Sequence, residues 1–116
     1  MGITSKNWPT LVKISIAVLV YIAVVFTVSR FWQQPNLVLG ISALLAMIVI
    51  SLKPNRETFT AFILGGLLGS FTESICIHFG AWSYTSPQFL GIPLWLPIVW
   101  GIAAVIITHG VSELLR

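Results

Sequence analysis

The chain has 116 residues, 57% of them hydrophobic and 8% charged, with six basic and three acidic residues and a net charge of +3. A soluble domain carries roughly 25% charged residues. Too few charges are present to coat a water-facing surface, and the basic ones sit at the ends of apolar runs, so a soluble domain and a nucleic-acid-binding patch are both excluded. The mean hydropathy of +0.98 points to an integral membrane protein of a single domain over residues 1–116.

The first predicted helix runs over about 11–31. Lys6 and Lys13 followed by ISIAVLVYIAVVFTVS resemble the opening of a signal peptide, but the apolar run is long and no A-x-A pattern follows before Arg30. A retained helix is expected. QQPN (33–36) breaks the chain, and the second helix is predicted over about 36–52. A span needs about 20 apolar residues, so this helix should stand nearly upright or thin the bilayer locally. KPNRET (53–58) follows, with Thr58 as the expected N-cap of a third helix over about 58–81. The next connection, AWSYTSPQFLGIP (81–93), has no charge but holds Trp82, Tyr84 and Phe89. Trp and Tyr settle at the membrane–water interface. The fourth helix is predicted over about 92–115, with Pro93 in its first turn, where its missing N–H costs nothing, and Pro97 deep enough to bend it.

The pattern predicts an all-α four-helix transmembrane bundle. Lys6, Lys13, Lys53, Arg56 and Arg116 fall on one side and Arg30 on the other. The positive-inside rule then places both termini in the cytoplasm of a bacterial or archaeal cell and the aromatic connection outside. The lipid bilayer is the first partner implied.

Glu73 is the residue that asks for an explanation. A charge at the centre of a membrane helix costs about 2.5–3.5 kcal/mol on insertion scales, so it calls for a partner, a polar cavity or a proton. Gly65, Gly69 and Glu73 recur every four residues, with Cys76 and Gly80 continuing the stripe, and Gly66, Ser70 and Ser74 form a second one beside it. Small residues at this spacing let helices approach closely, which makes Gly65 and Gly69 the expected packing face and turns Glu73 into the bundle. Ser70, Thr72 or a neighbouring helix could supply its hydrogen bonds. At about 1.5 Å per residue, Glu73 lies roughly 22 Å beyond Thr58. An antiparallel fourth helix brings Pro97, Trp100 and Gly101 to that level.

His78 diverges from Glu73 by roughly 140° around the helix. It reads as an interfacial residue or as a polar wall of a Glu73 cavity. His109, Ser112 and Glu113 cluster near the end of the last helix, where His109 and Glu113 are spaced to pair. The histidines do not converge with Glu73, so no metal site is expected, and no cofactor is implied. Cys76 is a lone cysteine without ligand spacing. Trp82, Tyr84, Trp95 and Trp100 form either an interface belt or the walls of an apolar pocket whose ring faces can stabilise a cation.

Glu73, then Gly80–Ala–Trp82–Ser–Tyr84–Thr85, then Phe89–Leu–Gly91–Ile–Pro93–Leu–Trp–Leu–Pro97–Ile–Val–Trp100 resembles the membrane-embedded carotenoid biosynthesis family, which includes the carotenoid hydratases. More distantly the stretch is similar to the heterodimeric lycopene cyclase subunits. It also looks like families of short, uncharacterised bacterial membrane proteins that share the P-x-W-L…W ending. The resemblance covers about residues 73–100. The hydratases have roughly twice as many membrane helices, and the cyclases carry paired acids where this chain reads Trp95–Leu96, so Glu73 alone is carried over.

The resemblance implies acid-assisted chemistry on an isoprenoid lipid, with Glu73 as the catalytic acid and His78, Trp82, Tyr84, Trp95 and Trp100 as substrate-binding walls. The alternative is a small transporter or accessory subunit, non-enzymatic, with Glu73 as a proton or cation site or simply a packing group. Either reading allows an apolar ligand and a homodimer or a partner membrane subunit.

Overall fold

Apolar runs punctuated by proline, asparagine and glycine fold here as four helices joined by short connections. A computed structural model describes residues 8–115. The helices are α1 (Thr10–Phe31), α2 (Pro35–Ser51), α3 (Arg56–His78) and α4 (Trp95–Leu114). Lys6 and Arg116, two of the residues used to assign topology, lie outside the described residues. Three helices, α1, α3 and α4, are long and apolar enough to cross a membrane, and α2, at 17 residues, is shorter.

The first two helices begin one residue earlier than predicted, and the ends of α3 and the start of α4 depart from prediction for local reasons. The α3 N-cap is Asn55 and not Thr58: the Asn55 side chain accepts from the Thr58 N–H at 2.9 Å, three residues on. That frees the Thr58 hydroxyl, which is fully buried and lies 2.9 Å from His109 Nε2 on α4. The charges of Lys13, Lys53, Glu57 and Glu113 all bear on His109, so its electrostatic surroundings extend beyond the i,i+4 glutamate.

At its other end α3 stops at His78, short of Ala81. Gly80 takes φ +84°, while the Gly80 N–H donates to the Ile77 carbonyl and the Ala81 N–H to the Cys76 carbonyl. This is the Schellman arrangement, in which a left-handed residue closes the last turn. Replacing Gly80 with alanine should cost about 1–2 kcal/mol, the penalty of placing an L side chain in that conformation. Reversible unfolding in mixed micelles measures it, and an unchanged stability would mean that the helix ends differently.

The connection to α4 is ordered. Phe89 and Ile92 pair across a tight turn whose central residues, Leu90 and Gly91, both have positive φ, as in a type I′ turn. Ser74 on α3 donates to the Leu90 carbonyl at 2.7 Å, and the Gln88 side chain accepts from the Leu94 N–H at 3.0 Å. This pairing holds Ile92 out of the helix, so α4 begins at Trp95, three residues later than predicted. Pro93 therefore precedes the helix, and Pro97 falls in its first turn, where its lack of an N–H leaves no hydrogen bond unmade. The bend predicted at Pro97 has no cause at that position.

Helix α4 packs against the other three, and α3 packs chiefly on α4. One core cluster joins α1, α2 and α4 through Val20, Val24, Ala46, Val49, Ile102 and Val105. A second, near the 79–94 connection, gathers Val38, Ile92, Trp95 and Leu96. The opposite faces carry exposed large side chains such as Leu19, Phe26, Leu67 and Phe71. In water such a surface would drive association; against acyl chains it needs no cover.

The α3–α4 contact is made close by glycine. A Cβ on Gly66 would stand 2.7 Å from the Pro97 carbonyl oxygen, and one on Gly65 would stand 2.2 Å from the Ala104 Cβ. From the other side, a Cβ on Gly101 would meet the Phe62 ring at 2.6 Å. A Cβ on Gly69 would stand 2.3 Å from the nearest atom of the Trp100 ring.

Candidate functional site

The close approach of α3 and α4 has a chemical consequence one turn above Gly69. Glu73, half-buried, accepts hydrogen bonds from two side chains on two other elements. Trp100 on α4 donates its Nε1–H to Oε2 at 2.5 Å, and Tyr84 from the connection donates its hydroxyl to Oε1. Indole N–H is a donor only, so Oε2 must act as an acceptor. All of the Glu73 side-chain bonds among the described residues are these two, and neither partner is a cation.

Tyr84 is itself fixed. Its ring meets the buried Trp95 ring edge-to-face, with centroids 6.1 Å apart. Burial, reinforced by the hydrogen bond to Glu73 and by that group's charge, lifts the Tyr84 phenol well above its ordinary 10.0. A raised phenol favours the neutral form in the fold. The stability it contributes is therefore fully present below about pH 10 and is lost as pH climbs from there. Phenolate absorbance, taken as the difference between wild type and Tyr84→Phe, should show Tyr84 ionising later than a free phenol. Glu73→Gln should recover only part of that shift, since burial is the larger cause. Ionisation near 10 in the wild type would mean that Tyr84 is neither buried nor bonded to Glu73.

Glu73 and its two donors open onto an interhelical groove of about 400 Å³. Val24, Val25, Val28 and Ser29 of α1 form one wall, Glu73 stands on the other, and Leu96, Val99, Trp100 and Ala103 of α4 lie between them. Tyr84 and Trp95 close its upper end. A second, smaller pocket of about 200 Å³ lies on the far side of these two rings, lined by Val28, Trp32, Pro93 and the hydroxyl residues Ser83, Thr85 and Ser86.

Of the residues singled out in the sequence, the structure brings Glu73, Tyr84, Trp95 and Trp100 to one groove and sets Gly65 and Gly69 against α4 beneath it. His78 and Trp82 are exposed and line neither pocket; the His78 ring meets Phe79 edge-on at 5.2 Å. Ser70 and Thr72 do not reach Glu73: Thr72 bonds the Leu68 carbonyl at 2.8 Å, and the buried Ser70 hydroxyl has no hydrogen-bond partner among the described residues. The α1 wall was not anticipated at all. Its signal, a valine every few residues with small neighbours, is that of any lipid-facing helix. No cluster of three metal-ligating side chains occurs among the described residues.

Three membrane-length helices around a carboxylate-bearing groove fit a small polytopic integral membrane protein. The chain belongs to the DUF2878 family, described as proteins of unknown function, whose model matches residues 10–116 and so takes in all four helices and the groove. No curated protein and no solved structure matches the chain.

Proposed function

We propose that this protein is a non-enzymatic membrane protein, a small transporter or accessory subunit, that holds an apolar ligand in the α1–α3–α4 groove and uses Glu73 as its proton or cation site. One observation carries the reading: the carboxylate lining the groove is held by two donors and, among the described residues, by no cation. A carboxylate among apolar walls calls for a proton or an opposite charge beside it. A proton or a ligand cation would complete the site.

The orientation that goes with this reading puts both termini in the cytoplasm and the Tyr84 connection outside, in the cytoplasmic membrane of a bacterium or archaeon. Lys13, Lys53 and Arg56 at one end of the bundle, against Arg30 at the other, support it. The groove is open along its length, and a second copy or a partner membrane subunit could cover it.

Uptake of a lipophilic ammonium probe into proteoliposomes under an imposed pH gradient tests the proposal. Wild type should move the probe or bind it, and Glu73→Gln should do neither while remaining folded. A wild type that neither binds nor moves the probe refutes the reading.

A second reading is favoured by the three aromatic rings of Tyr84, Trp95 and Trp100 around a single carboxyl group. Protonated, Glu73 would begin acid-assisted chemistry on an isoprenoid lipid of the carotenoid hydratase or cyclase type, with the rings stabilising the carbocation. Co-expression with lycopene-producing enzymes, followed by pigment chromatography, decides it. An unchanged pigment profile removes this reading.

A further inference from the structure

The groove and the smaller pocket share Val28, Tyr84 and Trp95, so they adjoin, and Glu73 on the groove side is bonded to the shared Tyr84. The two differ in chemistry. Apart from Glu73 with its two donors and Ser29, the groove is lined by apolar side chains. The outer pocket has no charged residue, and its hydroxyls on Ser83, Thr85 and Ser86 make no hydrogen bond within the described residues. Resting on the proposal that Glu73 takes a cation, we infer that the outer pocket seats the hydroxylated end of the same molecule. The ligand is then a single-chain amino alcohol, with its alkyl chain along α1 and α4, its ammonium at Glu73 and its hydroxyl groups among Ser83, Thr85 and Ser86.

Charge complementarity selects the head. A fatty acid would bring a second carboxylate to Glu73, and a neutral alcohol would leave the charge unpaired. A plain amine would satisfy Glu73 and leave the outer hydroxyls to water. Tyr84, Trp95 and Trp100 line the groove around that carboxylate and shield it from the acyl chains. Tyr84 stands between the two pockets, so its hydroxyl must swing from Glu73 when the ammonium arrives, and the passage between them opens as the ligand binds.

Calorimetric titration of nanodisc-embedded protein, with protein-free nanodiscs subtracted, tests this with dodecylamine, the matching amino diol, dodecanol and dodecanoate as probes. Wild type should prefer the amino diol to dodecylamine by about tenfold, the worth of one or two hydrogen bonds, and should bind dodecanol and dodecanoate far more weakly than either. The triple variant Ser83→Ala, Thr85→Ala, Ser86→Ala should bring the amino diol to dodecylamine ratio down to about one. A ratio near one in wild type, or one unchanged by the triple variant, overturns the inference and leaves the cation site intact. Dodecylamine binding that survives Glu73→Gln at full strength overturns the cation site, and this inference with it.

Discussion

Replacing Gly69 with alanine is expected to loosen the bundle and disarm Glu73 in a single step. The added methyl would lie 2.3 Å from Trp100 Cδ2 and 2.5 Å from its Cγ, well inside contact distance. The indole cannot simply swing away, because its Nε1–H is bonded to Glu73 Oε2. Overpacking at such a contact costs about 1–3 kcal/mol, and an indole N–H left without an acceptor a further 1–3 kcal/mol or so. A loss on the order of 3 kcal/mol is therefore expected for Gly69→Ala. Reversible unfolding in mixed micelles gives its size, and a shift in tryptophan emission reports the displaced ring.

Two other glycines make the result specific. Gly66→Ala places its methyl 2.7 Å from a backbone carbonyl, that of Pro97, and should destabilise the α3–α4 contact through helix separation. Gly40, on α2, has nothing among the described residues within 4 Å of its would-be Cβ. Gly40→Ala should be neutral or stabilising by about 0.5–1 kcal/mol, the helix-propensity gain. Should Gly69→Ala unfold no more easily than Gly40→Ala, the close approach of α3 to α4 described above is wrong.

The same contact shows what a sequence can and cannot disclose about such a site. The small-residue stripe through Gly65 and Gly69 and the antiparallel register that sets Trp100 level with Glu73 follow from helical geometry, because both depend only on residues per turn and rise per residue. The ends of α3 and α4 depend instead on which side chain captures which backbone group. Asn55 and not Thr58 is the cap, and the Thr58 hydroxyl goes instead to His109, fifty-one residues away. Gly80 closed α3 early, a signal present in the sequence as a glycine followed by a non-helical stretch. Tyr84 was visible as an aromatic residue near Glu73, but its hydrogen bond was not. That bond requires the chain to turn at Gly80 and fold back, and no periodicity encodes the path. The α1 wall of the groove was invisible for a different reason. In lipid, outward and inward apolar residues are chemically alike, so hydrophobic patterning loses the contrast that marks a buried face in water.

Glu73→Gln separates charge from shape. Glutamine matches glutamate in length and keeps one acceptor oxygen, which can take the Trp100 N–H. Its amide nitrogen then faces Tyr84, whose hydroxyl can reverse and accept. The fold should therefore survive with a change of about 1 kcal/mol. Binding of an ammonium probe should not survive, since removing one member of a buried charge pair costs about 2–5 kcal/mol, roughly thirtyfold to several thousandfold in affinity. Glu73→Asp is the sharper companion. It retains the charge but draws it back by about 1.5 Å, one carbon–carbon bond, so it cannot meet both Trp100 and Tyr84. If charge alone matters, Glu73→Asp binds the probe nearly as well as wild type. If the held geometry matters, as the two converging donors imply, it falls between wild type and Glu73→Gln. Stability changed by about 1 kcal/mol with binding intact in Glu73→Gln would make the carboxylate a packing group and nothing more.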